Sequence, residues 1–315
     1  MPGSSPRPRR RRDVSDVPSG FVYPAMLPAI RLARRLLPAA VRARIRQLLF
    51  EWLDLTWPLP TGVRIRVAHY GDWAVYNEIF VNGEYDEAIA KAVDLAGNRP
   101  PLHIVDLGAN VGFFTLRAVD RLRRRGVDTG LAITAIEADE ACTRTFQQRV
   151  CGDNGLAGNV RVVRAAVGER TGVALLREAL AHFPHGRLST IRERRPAAGT
   201  SRPAISGAAE RPEVQVPYVD LSTLLASVPQ IDLLKCDIEG SEQPLIENYP
   251  DLFRKVRMAV FEFHRDLCDV DRCQALLREY GFEHHATFRP GATYFTYGVW
   301  REAEQGHPAR SVHEG

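Results

Sequence analysis

Acidic residues and glycines with the spacing of a small-molecule site occur at residues 106–112, where the sequence reads Asp-Leu-Gly-Ala-Asn-Val-Gly. An apolar run rich in β-branched residues precedes this stretch and an apolar-periodic segment follows it, which predicts a strand, a ligand loop and a helix. In open α/β sheets such loops bind ligands beyond the carboxyl ends of the strands, where a helix N-terminus presents free N–H groups. We therefore expect Asp106, Gly108, Asn110 and Gly112 to bind a nucleotide-like cofactor.

The loop departs from the dinucleotide-binding fingerprint, which requires glycine at its first, third and sixth positions. Asp106 and Val111 occupy the first and sixth positions, so an NAD-dependent oxidoreductase is the less favoured alternative. An acid at the strand end instead suits a ligand with a cationic amino-acid group, and S-adenosylmethionine carries such a group. The alternative to a cofactor site is an ordinary strand-to-helix turn whose glycines serve tight packing.

Two further features follow the next predicted strands. Glu137 ends the second strand of the predicted sheet, where a carboxylate is placed to accept hydrogen bonds from both ribose hydroxyls of a nucleoside. Ala166 lies in a run of small residues after the third strand, which leaves room for an adenine ring. The alternatives are a solvent-exposed strand end for Glu137 and a plain turn for Ala166. We expect both residues to bind the nucleoside half of the cofactor.

A second group of acidic residues lies where later strands are predicted to end. Asp237, Glu239 and Glu242 surround one strand-to-helix turn. Glu262 and His264 close the next strand. So many acids around one turn are electrostatically unfavourable unless they bind a cation, share protons or face water. We expect these two strand ends to face each other across the crevice of the sheet and to contact the substrate.

Methyl transfer to a hydroxyl calls for a base, because the attacking oxygen loses its proton as it displaces the sulfonium. His264 is predicted to be that base, since histidine readily exchanges a proton near neutral pH. Asp237 is the second candidate, Glu239 is the third catalytic residue, and Glu242 and Glu262 complete the acid cluster. The alternatives are a structurally satisfied histidine and a Glu242 that only opposes the helix dipole. Carboxylates and an imidazole also suit Mg, Mn or Fe, so a divalent metal is possible, but none is predicted.

The elements that must position these residues alternate between strands and helices, which predicts a doubly wound α/β sheet. The sheet is expected to be mostly parallel, with an antiparallel C-terminal pair formed by residues 282–288 and 292–300. Before the sheet, the apolar alternation of residues 63–81 predicts strands or a hairpin.

Composition divides the chain into successive parts. In order, these are a disordered basic tail (1–20), an N-terminal amphipathic helical extension (21–60), a folded domain (61–303) with a flexible insertion (182–213), and a C-terminal tail (304–315). Within the extension, Tyr23–Trp57 has arginines between apolar residues at helical spacing, so it could lie on an anionic membrane surface, bind a partner or pack on the domain. Packing is the favoured interpretation. The Arg-rich insertion is either a substrate lid or a disordered segment.

The composition is that of an ordinary soluble globular protein, with 45% hydrophobic and 25% charged residues among 315. A net charge of +4 is too small for a nucleic-acid-binding footprint, so no nucleic-acid partner is expected. Five cysteines without a CxxC pair favour a cytoplasmic location over a disulfide framework or a thiolate zinc site. No apolar run approaches the roughly 20 residues that span a bilayer. The sequence leaves the oligomeric state open.

Five motifs of this sequence, taken in order, resemble those of the FkbM-type S-adenosylmethionine-dependent methyltransferases. The motifs are Val-Asp-Leu-Gly-Ala-Asn-Val-Gly (105–112), Ile-Glu (136–137), Ala-Ala-Val-Gly (165–168), Lys-Cys-Asp-Ile-Glu-Gly-Ser-Glu (235–242) and Phe-Glu-Phe-His (261–264). The resemblance covers about residues 79–264, and the block at 235–242 is its most specific part. It implies a class I, Rossmann-like methyltransferase that uses S-adenosylmethionine to methylate a hydroxyl of a small natural product or a glycan. It also places the methionine of the donor at Asp106–Gly112, the ribose at Glu137 and the reaction at Asp237–Glu242. A non-catalytic S-adenosylmethionine-binding or scaffold protein is the alternative.

Overall fold

A computed structural model provides the structure of the chain. The residues that it describes are 41, 48, 55–97, 101–127, 130–177, 191–192 and 213–302. The predicted tails at 1–20 and 304–315 lie outside the described residues, as do most of the 21–60 extension and all but three residues of the 182–213 insertion. The chain divides into two compact units, residues 1–49 and 50–315. In the first, the structure describes only Val41 and Leu48, which are helical and exposed; all elements below belong to the second.

A seven-stranded sheet forms the centre of the second unit. The described strands are β1 (Leu55–Pro58), β2 (Arg64–Val67), β3 (Leu102–Leu107), β4 (Leu131–Glu137), β5 (Val160–Arg164), β6 (Val173–Arg177), β7 (Ile191–Arg192), β8 (Glu213–Pro217), β9 (Ile231–Cys236), β10 (Val256–His264), β11 (His284–Arg289) and β12 (Tyr294–Trp300). The order in the main sheet is β11-β12-β10-β9-β3-β4-β5. Strands β5, β4, β3, β9 and β10 pair in parallel, and β12 runs antiparallel to both of its neighbours. The predicted doubly wound sheet with an antiparallel C-terminal pair is therefore confirmed.

Helices cover both faces of this sheet. The described helices are α1 (Tyr70–Tyr76), α2 (Asp86–Ala96), α3 (Phe113–Arg124), α4 (Glu140–Phe146), α5 (Leu221–Leu224), α6 (Glu242–Asn248), α7 (Pro250–Arg254) and α8 (Val270–Glu279). Alternate residues of the central strands enter two separate cores, as Ile104 and Val105 of β3 show. Strand β9 is buried at every position, which explains its almost continuous apolar sequence. None of the described helices is long and apolar enough to span a membrane.

The strand prediction for residues 63–81 is correct at its start and wrong afterwards. Strands β1 and β2 form an antiparallel hairpin, but the chain then forms α1 and a π-helical turn, Asn77–Val81. Trp73, Tyr76 and Phe80 recur at helical spacing, and their rings stack in sequence, with centroids 5.8 and 5.1 Å apart. These aromatic residues have high strand propensity, and packing on one helix face overrides it here. The helix and turn lead the chain towards the carboxyl ends of β9 and β10.

Strands β6, β7 and β8 form a second, three-stranded antiparallel sheet in the order β7-β6-β8. Tyr218, the residue after β8, forms an isolated bridge with Ala166 in the loop after β5. The small sheet therefore lies next to the loop that was predicted to bind adenine.

Candidate functional site

The loop after β3 touches the turn after β9 at Gly108. An alanine Cβ at this position would lie 1.7 Å from the carbonyl oxygen of Asp237, and the backbone φ of Gly108 is +71°. Only glycine therefore permits the two loops to meet at this distance. The amide of Asp237 in turn donates to the carbonyl of Leu107, at 3.2 Å. This close backbone contact joins the predicted donor loop to the predicted reaction site.

Asp106, predicted to line the donor site, is completely buried beneath the loop. Its carboxylate accepts a hydrogen bond from the Thr115 hydroxyl at 2.8 Å and lies 3.5 Å from the ammonium of Lys235. Burial raises the pKa of Asp106, and Lys235 opposes this effect. The Asp106 carboxylate therefore contacts Thr115 and Lys235 inside the protein. Asp106 is positioned to support the loop from its buried side.

Lys235 is a central residue of the site, and the sequence analysis included it in the 235–242 motif without assigning it a role. Its ammonium donates to the carbonyl oxygens of Gly108 at 2.6 Å and Leu107 at 3.2 Å. It also lies between the carboxylates of Asp106 and Asp237, at 3.5 and 3.6 Å. Burial acts to lower the pKa of Lys235, but the charges of Asp237 and Asp106 outweigh it and raise the pKa. The available signal was a lysine within an otherwise apolar strand, where a charge requires partners.

A cleft of roughly 600 Å³, counted with its open mouth, lies above these loops. The predicted site residues that line it are Gly108, Asn110, Glu137, Ala166, Asp237 and Glu239. Gly112 is not among the lining residues. It begins α3 with a φ of +94°, and a Cβ there would lie 2.5 Å from the side chain of Val150.

Glu137 sits at the end of β4, as predicted, and its two carboxylate oxygens face backbone amides. One accepts from Asn110 at 2.7 Å and the other from Asp139 at 2.8 Å. Burial raises the pKa of Glu137, and these two hydrogen bonds oppose it. Each oxygen keeps a second lone pair. Glu137 therefore fixes the backbone of the donor loop and keeps acceptor capacity in the cleft.

Next to the cleft, the ends of β9 and β10 bring three predicted residues together. One ligand atom from each of Asp237, Glu262 and His264 lies within 4.8 Å of the others. His264 Nε2 is 3.5 Å from a carboxylate oxygen of Glu239 and 3.6 Å from one of Glu262. Tyr85 donates to the other oxygen of Glu262 at 3.3 Å. Burial, followed by the charge of Asp237, raises the pKa of Glu262 well above its ordinary value.

This acid–histidine cluster places the imidazole of His264 beside the carboxyl groups of Glu239 and Glu262, and histidine and carboxyl side chains are the usual general acids and bases. Its two carboxylates and imidazole are also ligand types that suit a divalent cation. The structure therefore brings together Asp237, Glu239, Glu262 and His264, which the sequence analysis placed at the ends of two strands.

Glu242, the remaining acid of the predicted group, lies beneath the turn rather than in the cluster. It is completely buried. Its carboxylate accepts from the backbone amides of Ile238 at 3.1 Å and Gly240 at 2.9 Å. The turn needs this support because Glu239 and Gly240 both have positive φ, +51° and +101°. Glu242 thus holds Glu239 in the strained conformation that directs it to the cleft.

Burial raises the pKa of Glu242 to about 8, whereas a glutamate in an unfolded chain titrates near pH 4.3. Between these values the folded protein holds a proton that the unfolded chain has released, so stability falls as pH rises. Relative to Glu242→Gln, we expect the free energy of unfolding to fall by roughly 1 kcal/mol per pH unit between about pH 5 and 8. Urea unfolding of both proteins over this range measures the difference. A difference that is independent of pH would show that Glu242 is ionised throughout.

The π-helical turn and the last two strands add residues that the sequence analysis missed. Glu78 forms a hydrogen bond with Tyr294, and burial raises its pKa while the charge of Arg289 lowers it. Arg289 also forms an ion pair with Glu84. These side chains border the acid–histidine cluster, because the charge of Asp237 raises the pKa of Glu78 and the charge of Glu78 raises the pKa of Glu262. They come from segments far apart in sequence, so no local motif marks them.

Comparisons with solved structures found low similarities over much of the chain. The crystal structure of methyltransferase FkbM from Methylobacillus flagellatus KT is 14% identical, with a TM-score of 0.42, and the match covers 64% of this chain and 43% of that one. The N-terminal domain of EvdMO1 with SAH bound is 15% identical, with a TM-score of 0.42 and coverages of 85% and 98%. Magnesium protoporphyrin IX methyltransferase from Synechocystis PCC 6803 with bound SAM is 12% identical, with a TM-score of 0.41 and coverages of 72% and 84%. At these scores the likenesses carry no argument about this chain.

A search of the curated proteins found no match. A family model does match, and it is described as the methyltransferase FkbM domain. The match runs over residues 106–284, more than half of the chain. It begins at Asp106 of the donor loop and contains the cleft, the turn after β9 and the acid–histidine cluster. The chain therefore belongs to the FkbM methyltransferase family.

Proposed function

We propose that the protein transfers a methyl group from S-adenosylmethionine to a hydroxyl of a natural product or glycan. The observation that carries the proposal is the contact between Gly108 and the Asp237 carbonyl, which joins the cleft lined by Glu137 and Ala166 to the acid–histidine cluster. A methyltransferase needs both parts side by side, because the methyl donor and the acceptor oxygen must lie in line.

The residues of the cleft fit this donor. Glu137 keeps acceptor capacity for the two ribose hydroxyls, and Ala166 leaves space for adenine next to the small sheet. Gly108 and Asn110 expose backbone towards the methionine, while Asp106 shapes the loop from below. When bound there, S-adenosylmethionine supplies an electrophilic methyl group. The carboxylates that line the cleft are complementary to its positive charge.

The acid–histidine cluster is the place for the acceptor. His264 is buried and lies 3.5–3.6 Å from the carboxylates of Glu239 and Glu262. The Glu239 carboxylate stabilises the imidazolium that forms when His264 takes the proton of the acceptor hydroxyl. Burial favours the neutral form of Glu262, because it raises the pKa of that residue. Asp237 is the second candidate for this role, because it belongs to the same cluster.

An acceptor screen tests the proposal. The purified protein is incubated with S-adenosylmethionine and hydroxylated glycans or natural products, and release of S-adenosylhomocysteine is followed. We expect release that depends on one class of hydroxylated acceptor. Donor binding without turnover on any acceptor would instead support a binding or scaffold role.

The five free cysteines agree with the cytoplasmic location that we propose for this reaction.

With such an acceptor, we expect His264→Ala to lower kcat by roughly 100- to 10,000-fold, the usual contribution of a general base. Donor affinity should change little, because His264 does not line the cleft. Steady-state kinetics and calorimetric titration with the donor measure the two effects. His285→Ala is the control, since His285 is exposed on β11. Full activity in His264→Ala, combined with loss of activity in Asp237→Asn, would move the base to Asp237.

A further inference from the structure

Cys268 and Cys273 lie close together at the start of helix α8, and neither lines the proposed donor cleft. Cys268 is the residue before the N-cap, Asp269, and Cys273 is the fourth residue of the helix. Side chains at these two positions often pack on each other across the first helical turn. Here the thiol of Cys273 donates a hydrogen bond to the sulfur of Cys268. We call these two residues the thiol pair, because their sulfur atoms face each other within hydrogen-bonding distance.

Cys268 is the solvent-facing member of the thiol pair. It is partly exposed, and its two neighbours in the chain, Leu267 and Asp269, are exposed. Cys273 is completely buried in the core below. A reagent from solvent therefore meets the sulfur of Cys268 first, with the sulfur of Cys273 behind it.

The Cys268 thiol is also the cysteine most easily ionised. Of the five cysteines, all of which the structure describes, it is the one whose pKa is lowered, because it accepts the hydrogen bond from Cys273, and burial opposes this effect. Burial raises the pKa of Cys142, Cys151 and Cys236. The N-terminus of α8 next to Cys268 further favours a thiolate. Since the thiolate is the nucleophilic form, Cys268 is expected to react before the other cysteines.

The turn that carries Cys268 begins at His264 of the acid–histidine cluster. The amide of Cys268 donates to the carbonyl oxygen of His264 at 3.2 Å, and the Cys268 thiol donates to the same oxygen at 3.4 Å. Leu267 of this turn packs against Gly240, where an added Cβ would lie 3.0 Å from the Cβ of Leu267. The turn 264–268 therefore contacts the loop that holds Glu239, and the Cys268 thiol helps to fix the backbone at His264.

We propose that the thiol pair is a site of reversible oxidation, at which a small disulfide such as glutathione disulfide links Cys268 to Cys273. The Cys268 thiolate attacks one sulfur of glutathione disulfide, and one glutathione leaves as a thiolate. Cys273 then gives up its proton and attacks the Cys268 sulfur, which releases the second glutathione. Two protein thiols are thus oxidised while one glutathione disulfide is reduced to two glutathione molecules, which take up the two thiol protons. Disulfides in reducing compartments are usually transient, catalytic or redox-sensing.

The expected consequence for catalysis rests on the proposed function. A disulfide sulfur has no proton to donate, so the carbonyl of His264 loses its hydrogen bond from the thiol when the pair is oxidised. We expect the oxidised protein to have a lower kcat, which dithiothreitol restores. Donor affinity should stay unchanged, because neither cysteine lines the donor cleft.

Mass spectrometry of the full chain after incubation with glutathione disulfide tests the site without any use of methyl transfer. We expect wild type to lose two hydrogen atoms, and peptide mapping to link Cys268 to Cys273 until dithiothreitol is added. Cys273→Ser should stop with one glutathione on Cys268, and Cys268→Ser should form neither product. Cys151→Ser is the matched control, since Cys151 is also partly exposed, and it should form the disulfide as wild type does.

Urea unfolding shows that each protein is folded when it is tested. No reaction of folded wild type, glutathione bound to another cysteine instead of Cys268, or an equal loss of hydrogen in Cys268→Ser would overturn the proposal. A mapped disulfide with an unchanged kcat would overturn the link to His264. Because the mass measurement needs neither donor nor acceptor, its result does not depend on whether the proposed function is correct.

Discussion

Alanine at Gly108 is expected to abolish measurable binding of the methyl donor and to lower the free energy of unfolding by roughly 2–5 kcal/mol. The added Cβ would lie 1.7 Å from the Asp237 carbonyl, so one of the two loops must move. Such overpacking costs about 1–3 kcal/mol, and the left-handed conformation of Gly108 adds roughly 1–2 kcal/mol for any residue with a Cβ. Chemical denaturation and calorimetric titration measure the two effects.

Gly126→Ala is the matched control for this prediction. Gly126 has a φ of +76°, close to the +71° of Gly108, but an added Cβ meets nothing within 4 Å. We expect it to lose only the roughly 1–2 kcal/mol of the backbone conformation, with unchanged donor affinity. Equal effects of the two substitutions would contradict the importance of the contact between the loops.

Lys235→Met is expected to lower the free energy of unfolding by roughly 3–5 kcal/mol. This is the usual cost when one partner of a buried ion pair is removed. Asp106 would then keep a buried charge without a cation, and the carbonyls of Leu107 and Gly108 would lose their donor. We also expect weaker donor binding, because the loop is no longer held. Urea unfolding provides the stability.

Asp106→Asn in the Lys235→Met background provides the control. Since it removes the uncompensated charge, it should recover part of the lost stability, and a double-mutant cycle should give a coupling energy of roughly 1–3 kcal/mol. Strictly additive effects would contradict a stabilising ion pair between Lys235 and Asp106.

The main sheet was predictable because buried parallel strands require continuous apolar runs, and those runs are visible at β3, β9 and β10. The segment Tyr70–Val81 was not, because Trp73, Tyr76 and Phe80 suit a strand by propensity and a helix by spacing. Stacking of their rings on one face favours the helix. A short window of sequence does not show whether three aromatic rings stack, so periodicity alone did not distinguish helix from strand here.

The sequence predicted the positions of those candidate site residues that lie at the ends of parallel strands. Glu137, Asp237, Glu262 and His264 all follow from the rule that parallel strands present their carboxyl ends at one edge. The rule does not say which acids face the ligand and which lie below. Glu242, buried beneath its own turn, illustrates that limit.

Lys235 and Glu78 fall outside the strand-end rule for a different reason. The partners of Lys235 become visible only when β3 and β9 are paired. Glu78 reaches the acid–histidine cluster from a π-helical turn whose existence the sequence did not indicate. The positions of both residues in the site depend on contacts between segments that are distant in sequence. A local sequence pattern does not indicate such contacts.

Calorimetric titration of the purified protein with S-adenosylmethionine, and separately with NADH, tests the central claim most directly. Three proteins suffice: wild type, Glu137→Ala, which removes the proposed ribose acceptor, and Glu140→Ala, an exposed acid nearby. We expect micromolar, single-site binding of S-adenosylmethionine to wild type and Glu140→Ala. Glu137→Ala should bind it at least about tenfold more weakly, since hydrogen bonds to a charged acceptor are lost, and NADH should not bind. Binding of NADH alone, or S-adenosylmethionine affinity that is the same in Glu137→Ala as in wild type, would contradict the assignment of the cleft.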